Sequence, residues 1–347
     1  MILPDTYASA LLLTILSMLC WGSWANTYKL AGRWRFELYY FDYAFGVLAA
    51  ATVAAFTFGT LGYDGLTFLD DLMQAGKRNM AYGFAGGVVF NLANMLLVAA
   101  IAVAGLAVAF PVGIGLALVI GVIWNYAINP QGNPTLLFGG VAIVVAAIVV
   151  DAVAYRAHAL AQARERIKAG QTRSTAPRVS WKGILLSLAS GVLMGSFYPL
   201  VELGKQGESG LGPYAIAFIF AVGVFSSTFV FNLFFMNVPV QGEPVEILDY
   251  FKGTLKQHSL GIAGGMVWAT GTISNFVAAS APRQVQVGPA ISYALGQGAT
   301  LISALWGLLV WKEFRGATGR LKLLLGLMLT LFAIGLGLVA VAPLYAG

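Results

Sequence analysis

The sequence predicts an all-α integral membrane protein of ten transmembrane helices, built as two inverted five-helix repeats. Three observations carry that prediction. Hydrophobic residues make up 59% of the 347 and charged residues 10%, with a mean hydropathy of +0.80, whereas a soluble domain carries about 25% charge. The apolar residues fall into ten long stretches rather than short periodic runs. The first five stretches can be laid over the last five.

The stretches run over residues 6–30, 38–61, 79–101, 104–128, 134–156, 181–203, 212–236, 259–281, 285–311 and 320–344. Each reaches the roughly 20 residues a helix needs to cross about 30 Å of hydrocarbon. Lipid offers no partner to open backbone, and the runs are too long and too uniformly apolar for barrel strands. Segment 1 has no basic region ahead of it, and Ser17-Met18-Leu19-Cys20 is a poor lipoprotein cleavage site, so an uncleaved helix is expected. Cys20 is the only cysteine, which leaves no disulfide within the chain. After segment 5 comes the only long polar stretch, from about Arg156 to Lys182, with Arg164, Glu165, Arg166, Lys168, Arg173 and Arg178. The organisation is a first repeat over 1–156, a basic cytoplasmic linker over 157–180 and a second repeat over 181–347.

The net charge of +6 orients the chain rather than marking a nucleic-acid partner. Of the 20 Lys and Arg, 16 lie on the side that receives the odd-to-even connections, from 1–2 through 9–10. Cytoplasmic connections are enriched in these residues, so both termini are expected outside the cytoplasm.

A shift of 178 places Ala85-Gly86-Gly87 on Ala263-Gly264-Gly265 and Pro111 on Pro289, and a shift of 173 places Gly22-Ser23 on Gly195-Ser196. Five helices per unit is an odd number, so the second unit enters the membrane with opposite polarity. Such repeats hold their solute between the halves near the midplane. Pro111 and Pro289 are expected to open the helix ladder early in segments 4 and 9. Gly83 with Gly87 and Gly261 with Gly265 form matching GxxxG steps for close helix contact.

Helical spacing sorts the polar residues into faces. Trp268, Thr272 and Asn275 share one stripe of segment 8, and Asn91 and Asn94 one of segment 3. Segment 9 lines Gln286, Tyr293, Gln297 and Thr300 along one face, whereas their repeat mates Val108, Gly115, Val119 and Val122 have no polar side chain. The scaffold therefore does not require polarity there, and solute binding would supply the reason; interhelical hydrogen bonding is the alternative. Trp24, Tyr198 and Trp268 supply flat rings beside amides, which suits a solute with an apolar face and polar edges. No carboxylate lies in the middle third of a segment; Asp42, Asp151 and Glu202 lie near ends. An intramembrane carboxylate is a functional candidate, so Asp42 or Glu202 is the expected ion-coupling or gating group, with Lys29 a partner for Asp42. Snorkelling to the interface accounts for them equally well.

Catalysis has no footing. His158 and His258 both fall in connections, no metal or thiol constellation exists, and no GxxxxGK[ST] phosphate loop occurs. A membrane-embedded enzyme acting on a lipid-linked substrate is the competing class. No cofactor and no metal are expected.

Leu19-Cys20-Trp21-Gly22-Ser23-Trp24, Tyr40-Phe41-Asp42-Tyr43, Ala85-Gly86-Gly87 and Trp306-Gly307-Leu308-Leu309-Val310-Trp311-Lys312-Glu313-Phe314-Arg315 together resemble the drug/metabolite transporter superfamily. Within it the chain is similar to the branch of ureide permeases and glucose, ribose and rhamnose porters. The resemblance implies a ten-helix secondary carrier working by alternating access, usually proton-driven. The phosphate-loop-like motif of plant ureide permeases is missing from the central connection, which tilts the expectation toward sugar. Lys312-Glu313 stands where the superfamily commonly has Gly-Glu.

The sequence thus predicts a secondary active transporter of the bacterial inner membrane, embedded in lipid. Its expected solute is small, neutral and polar, a monosaccharide before a ureide or nucleobase. A proton, or else sodium, is the expected coupling ion.

Overall fold

A capping box starts the chain's first helix: the Thr6 hydroxyl accepts from the Ser9 amide while the Ser9 side chain accepts from the Thr6 amide. The computed structural model describes residues 1–168, 181–239, 242–282, 284–285, 287–315 and 319–345. Among them no strand occurs. In order the helices are α1 (Tyr7–Ser23), α2 (Ala25–Ala31), α3 (Phe36–Phe56), the short α4 (Phe68–Gln74), α5 (Lys77–Ala104), α6 (Leu106–Ile128), α7 (Pro134–Lys168), α8 (Trp181–Gly204), α9 (Pro213–Asn237), α10 (Leu255–Ala279), α11 (Pro289–Gly296), α12 (Ala299–Leu305) and α13 (Gly319–Val341).

Among the described residues, nine helical stretches are long and apolar enough to cross a membrane. The further long helix is α10, whose buried face carries Thr272, Ser274 and Asn275 beside its glycines. These polar residues lower its apolar content, and neighbouring helices cover them.

Segment 9 is broken. α11 ends at Gly296, Gln297 and Gly298 hold the joint, α12 follows, and a π-helical turn over Trp306–Val310 closes the segment. Pro289 does not open the ladder as expected, because it takes the first helical position, where the missing N–H costs nothing. Pro111 does sit inside its helix, α6. Lys312, in the place of the superfamily's glycine, holds a φ of 52°, a left-handed conformation that disfavours a side chain.

Packing follows from the glycines. A Cβ on Gly265 would fall on the Tyr43 carbonyl oxygen, and one on Gly87 would fall on that of Phe220. The same close approaches are met from the other side, where Gly46 faces Ile262 and Gly223 faces Phe84. α10 therefore lies flush on α3, and α5 on α9. α5 also packs along α8, α10 along α1, α6 along α8, and α13 along α7.

Hydrogen bonds gather the connections into two ends. At one, the Met1 amine donates to the Asp64 carbonyl at 2.7 Å, the Tyr214 hydroxyl to the Ile2 carbonyl at 2.8 Å, and Asn79 to the Gln206 carbonyl at 2.8 Å. At the other, Lys29 pairs with Glu313, Trp311 Nε1 donates to Asn26 at 2.6 Å, and Arg35 reaches the Glu243 carbonyl at 3.0 Å. The second is the end from which α7 leaves and α8 enters, and is called the linker end below. The helix α7 runs on to Lys168, past the expected repeat boundary at 156, while the linker from 169 to 180 lies outside the described residues.

Candidate functional site

Where α1, α2, α5, α6, α7, α8, α10 and α12 converge, a cavity of about 420 Å³ opens inside the bundle. Its wall begins at mid-bundle with Phe90, Met194 and Trp268 and continues only toward the linker end, to Tyr28, Ile101 and Tyr155.

One side of the wall is a stack of rings. Trp268 lies on Phe90 with centroids 4.2 Å apart and planes 24° apart, and Trp21 lies beyond at 6.2 Å and 14°. Near-parallel rings form a flat apolar face that accepts another flat group. Trp21 is held by its Nε1, which donates to Thr272 Oγ1 at 3.0 Å. Trp24 lines the cavity with its ring 5.0 Å from that of Tyr43.

Polar groups complete the wall. Asn94 donates from Nδ2 to the Tyr40 hydroxyl at 3.0 Å. Gln297 enters the wall at the joint between α11 and α12, with Thr300 one turn on. From α7 come Asp151 and Tyr155, one turn apart. The Tyr155 hydroxyl donates to Glu313 Oε2 at 3.1 Å, and Lys29 holds Glu313 Oε1 at 2.7 Å. Asp151 Oδ1 is buried and accepts no hydrogen bond.

The structure thus places Trp24, Asn94, Trp268 and Gln297 on the wall and Asn91, Tyr198, Thr272, Asn275 and Tyr293 off it. Asn91 bridges α5 to α9, donating to Ser227 Oγ at 2.8 Å and Thr228 Oγ1 at 3.1 Å. Thr272 acts through Trp21. Tyr293 turns away, its hydroxyl donating to the Ala117 carbonyl at 3.2 Å and the Met194 carbonyl at 3.3 Å. Gln286 lies outside the described residues.

Asn275 is the centre of a closed network beyond the cavity. Its Oδ1 accepts from the Tyr198 hydroxyl at 2.7 Å and from Ser292 Oγ at 2.9 Å, while its Nδ2 donates to Ser17 Oγ at 3.1 Å and the Ser292 carbonyl at 3.0 Å. With the buried rings of Tyr198, Tyr293, Phe276 and Phe220, this network seals the cavity from the terminal end. Asn275→Ala strips a partner from the buried Tyr198 hydroxyl, Ser17 hydroxyl and Ser292 carbonyl, at about 1–3 kcal/mol for each group left orphaned, while Ser292 Oγ keeps the Asn275 carbonyl. It is expected to lower the melting temperature more than Asn94→Ala or Gln297→Ala, which are expected to lower solute affinity instead. Equal melting temperatures for all three variants would contradict this division.

The charged candidates pair differently from expectation. Asp42 does not meet Lys29: it accepts from the Tyr250 hydroxyl at 2.5 Å and pairs with His258 Nδ1 at 2.8 Å. Tyr250 in the connection and His258, which falls in the first turn of α10 and not in the connection as expected, both lie against the start of α3. Lys29 takes Glu313 and lies 4.2 Å from the centre of the Trp311 ring. Glu202 pairs with Lys205 at 2.7 Å, both nearly buried. None of Asp42, Glu202 and Lys29 lines the cavity. The carboxylate that does is Asp151, one turn before Tyr155 toward the linker end of the apolar run, where the sequence also puts it. The signal for it was the stripe Ile148, Asp151, Ala152 and Tyr155, all four of which reach the wall.

The sequence profile of a family described as "Ureide permease" matches residues 39–181 and 178–342. Ureide permease 2 of Arabidopsis thaliana is 27% identical over 394 residues, covering 96% of this chain and 96% of that protein. Ureide permease 1 of the same plant is 24% identical over 399 residues, covering 100% of this chain and 98% of its own length. A solved chain described only as "Crystal structure of protein" shares the fold, with a TM-score of 0.57 at 18% identity over 96% of this chain and 98% of its own. With the family profile taking in most of the sequence, and with helices that cross a membrane many times around an interior cavity, the chain belongs to the ureide permease family and is a multi-pass membrane transporter of a small polar solute rather than an enzyme.

Proposed function

We propose that the chain carries a small neutral ureide, a solute with N–H groups beside C=O groups, by alternating access between two inverted five-helix repeats. The observation that carries this reading is the cavity wall. It brings a near-parallel stack of Trp21, Trp268 and Phe90 into one cavity with polar groups from α5, α7 and the α11–α12 joint. A flat, N–H-rich solute stacks on the rings while its edges meet amides and a carboxylate.

A monosaccharide was the first expectation, and it rested on the lack of a phosphate-loop-like motif in the central connection. Relatives named ureide permeases align with the chain nearly end to end in spite of that lack. An acceptor without a partner on the wall also favours a solute rich in N–H donors. The ureide reading therefore displaces the sugar.

The exchanged glycine contacts support the repeats. Gly265 on Tyr43 and Gly46 on Ile262 recur as Gly87 on Phe220 and Gly223 on Phe84, with the halves swapped. In this reading α10 is the tenth membrane crossing, tolerated because its polar face is covered by protein. By the positive-inside rule the linker end faces the cytoplasm and the termini lie outside, so the cavity faces inward. Solute movement is driven by a proton.

A thermal-shift screen of the purified protein tests the substrate class. A ligand that binds only the folded state stabilises it in step with occupancy. Ureides are expected to raise the melting temperature by several degrees, with monosaccharides and quaternary ammonium compounds leaving it unchanged. Stabilisation by monosaccharides alone would reverse the assignment.

A further inference from the structure

The buried carboxylates of the described residues divide by their partners. Asp42 has Tyr250 and His258, Glu202 has Lys205, and Asp71 accepts from the Gly212 amide at 2.9 Å. Each has a partner in the fold, on another element for Asp42 and Asp71 and three residues on for Glu202. Asp151 is different, since its buried Oδ1 has no partner and its side chain lies on the wall of the solute cavity.

An unpartnered carboxylate in the interior costs several kcal/mol, and the cost is met by a proton or by a ligand that arrives. Among the described residues no Lys, Arg or His lines the cavity wall. The titratable neighbours on the wall are Tyr28 and Tyr155, and Tyr155 is turned to Glu313, which holds Lys29; His158 meets the Glu313 carbonyl at 2.7 Å. From α6 the wall presents Pro111 and Ile114, and from α12 Thr300, Ser303 and Ala304. Against the neighbouring Ala154, α13 sets Leu321 and Leu325.

A protonated carboxyl presents one O–H donor beside one C=O acceptor. That pair is complementary to an N–H beside a C=O, the edge every ureide carries, and the two close a ring with two hydrogen bonds. The ionised form offers only acceptors and would face the solute's carbonyl oxygen with like charge. We propose that Asp151 is the proton-carrying residue of the transport cycle, and that its neutral acid form pairs with the N–H/C=O edge of the solute. A proton from water binds a carboxylate oxygen, the acid and solute cross together, and the proton leaves to water on the other side. Because the solute prefers the protonated form, the proton in turn binds more tightly when solute is present, which is the reciprocity that coupling requires. The ureide pairing rests on the transport reading above, whereas the protonation of Asp151 does not.

Asp151→Asn separates the two roles. Its carboxamide keeps a donor beside an acceptor and cannot gain or lose the proton. In the wild-type protein, ureide affinity is expected to fall about tenfold per pH unit once Asp151 ionises. In Asp151→Asn it is expected to change by less than about twofold across the same range, with counterflow retained and accumulation driven by a pH gradient lost. A second readout needs no solute: a hydrophobic carbodiimide modifies protonated carboxyls, so mass spectrometry of the purified protein should find Asp151 labelled, more so at lower pH. Ureide protection against labelling is expected in addition. Accumulation by Asp151→Asn at the wild-type level, loss of its ureide binding at every pH, or absence of label at Asp151 would each overturn the proposal. Labelling of Asp151 with no ureide binding by the wild-type protein would instead remove the ureide reading and leave Asp151 as a proton site only.

Discussion

Trp268→Ala is expected to weaken ureide binding by about 5- to 150-fold, the equivalent of roughly 1–3 kcal/mol for one stacked ring. The ring lines the cavity, is 5% exposed, and is wedged 4.2 Å from Phe90 and 6.2 Å from Trp21, so it cannot be replaced by a neighbour swinging in. Truncating a buried aromatic also costs about 3–5 kcal/mol of stability, so alanine alone does not isolate the stacking term. Trp268→Phe and Trp268→Leu complete the test. Phe keeps a flat face and is expected to retain affinity within about threefold, while Leu fills volume without one and is expected to lose it. Calorimetric titration of the folded variants in detergent measures this. Equal affinities for Phe and Leu would show that the ring stack fills space and does not receive the solute.

The second large effect falls on the scaffold. Gly265→Val is expected to abolish cooperative unfolding, because its side chain would fall on the Tyr43 carbonyl, where backbone on both helices leaves nothing to move aside. Even alanine there overpacks a closed interface at a cost of typically 1–3 kcal/mol. Gly87→Val, against Phe220, is expected to behave the same way because the α5–α9 contact has the same form as the α10–α3 contact. By contrast Gly115, with open space around the position of its Cβ, should accept alanine without loss. Thermal melts of the three variants decide the matter, and a Gly265→Val protein that melts like the wild type would contradict the packing described.

Much of this architecture was legible because lipid imposes it. Long apolar runs have to be helices, and glycines spaced four apart had to be close contacts, since helices in lipid pack through small side chains. The polar face of segment 9 also stood out, because Gln297 and Thr300 replace Val119 and Val122 of the other half. Sequence spacing missed that the helix breaks at Gln297 and Gly298, which turns Gln297 into the cavity and leaves Tyr293 pointing to α6 and α8. It named Asp151 but favoured Asp42 and Glu202, because all three lie near segment ends and nothing local shows which one faces the cavity. The bond from Asp42 to His258 joins residues far apart in the chain, and nothing local in either stretch announces it. Asn275 and Tyr198 read as solute contacts because a buried amide beside a ring looks the same whether it meets a ligand or another helix.

The proposed transport has a ureide occupy the cavity between Trp268 and Asp151 and cross the membrane with the carrier. Counterflow in proteoliposomes tests it most directly, since exchange of labelled for unlabelled solute needs binding, reorientation of the loaded carrier and release but no ion gradient. Saturable counterflow of a labelled ureide is expected, blocked by excess unlabelled ureide, untouched by monosaccharides and lost in Trp268→Leu. Counterflow of a monosaccharide in place of a ureide, or ureide counterflow unchanged in Trp268→Leu, would contradict it.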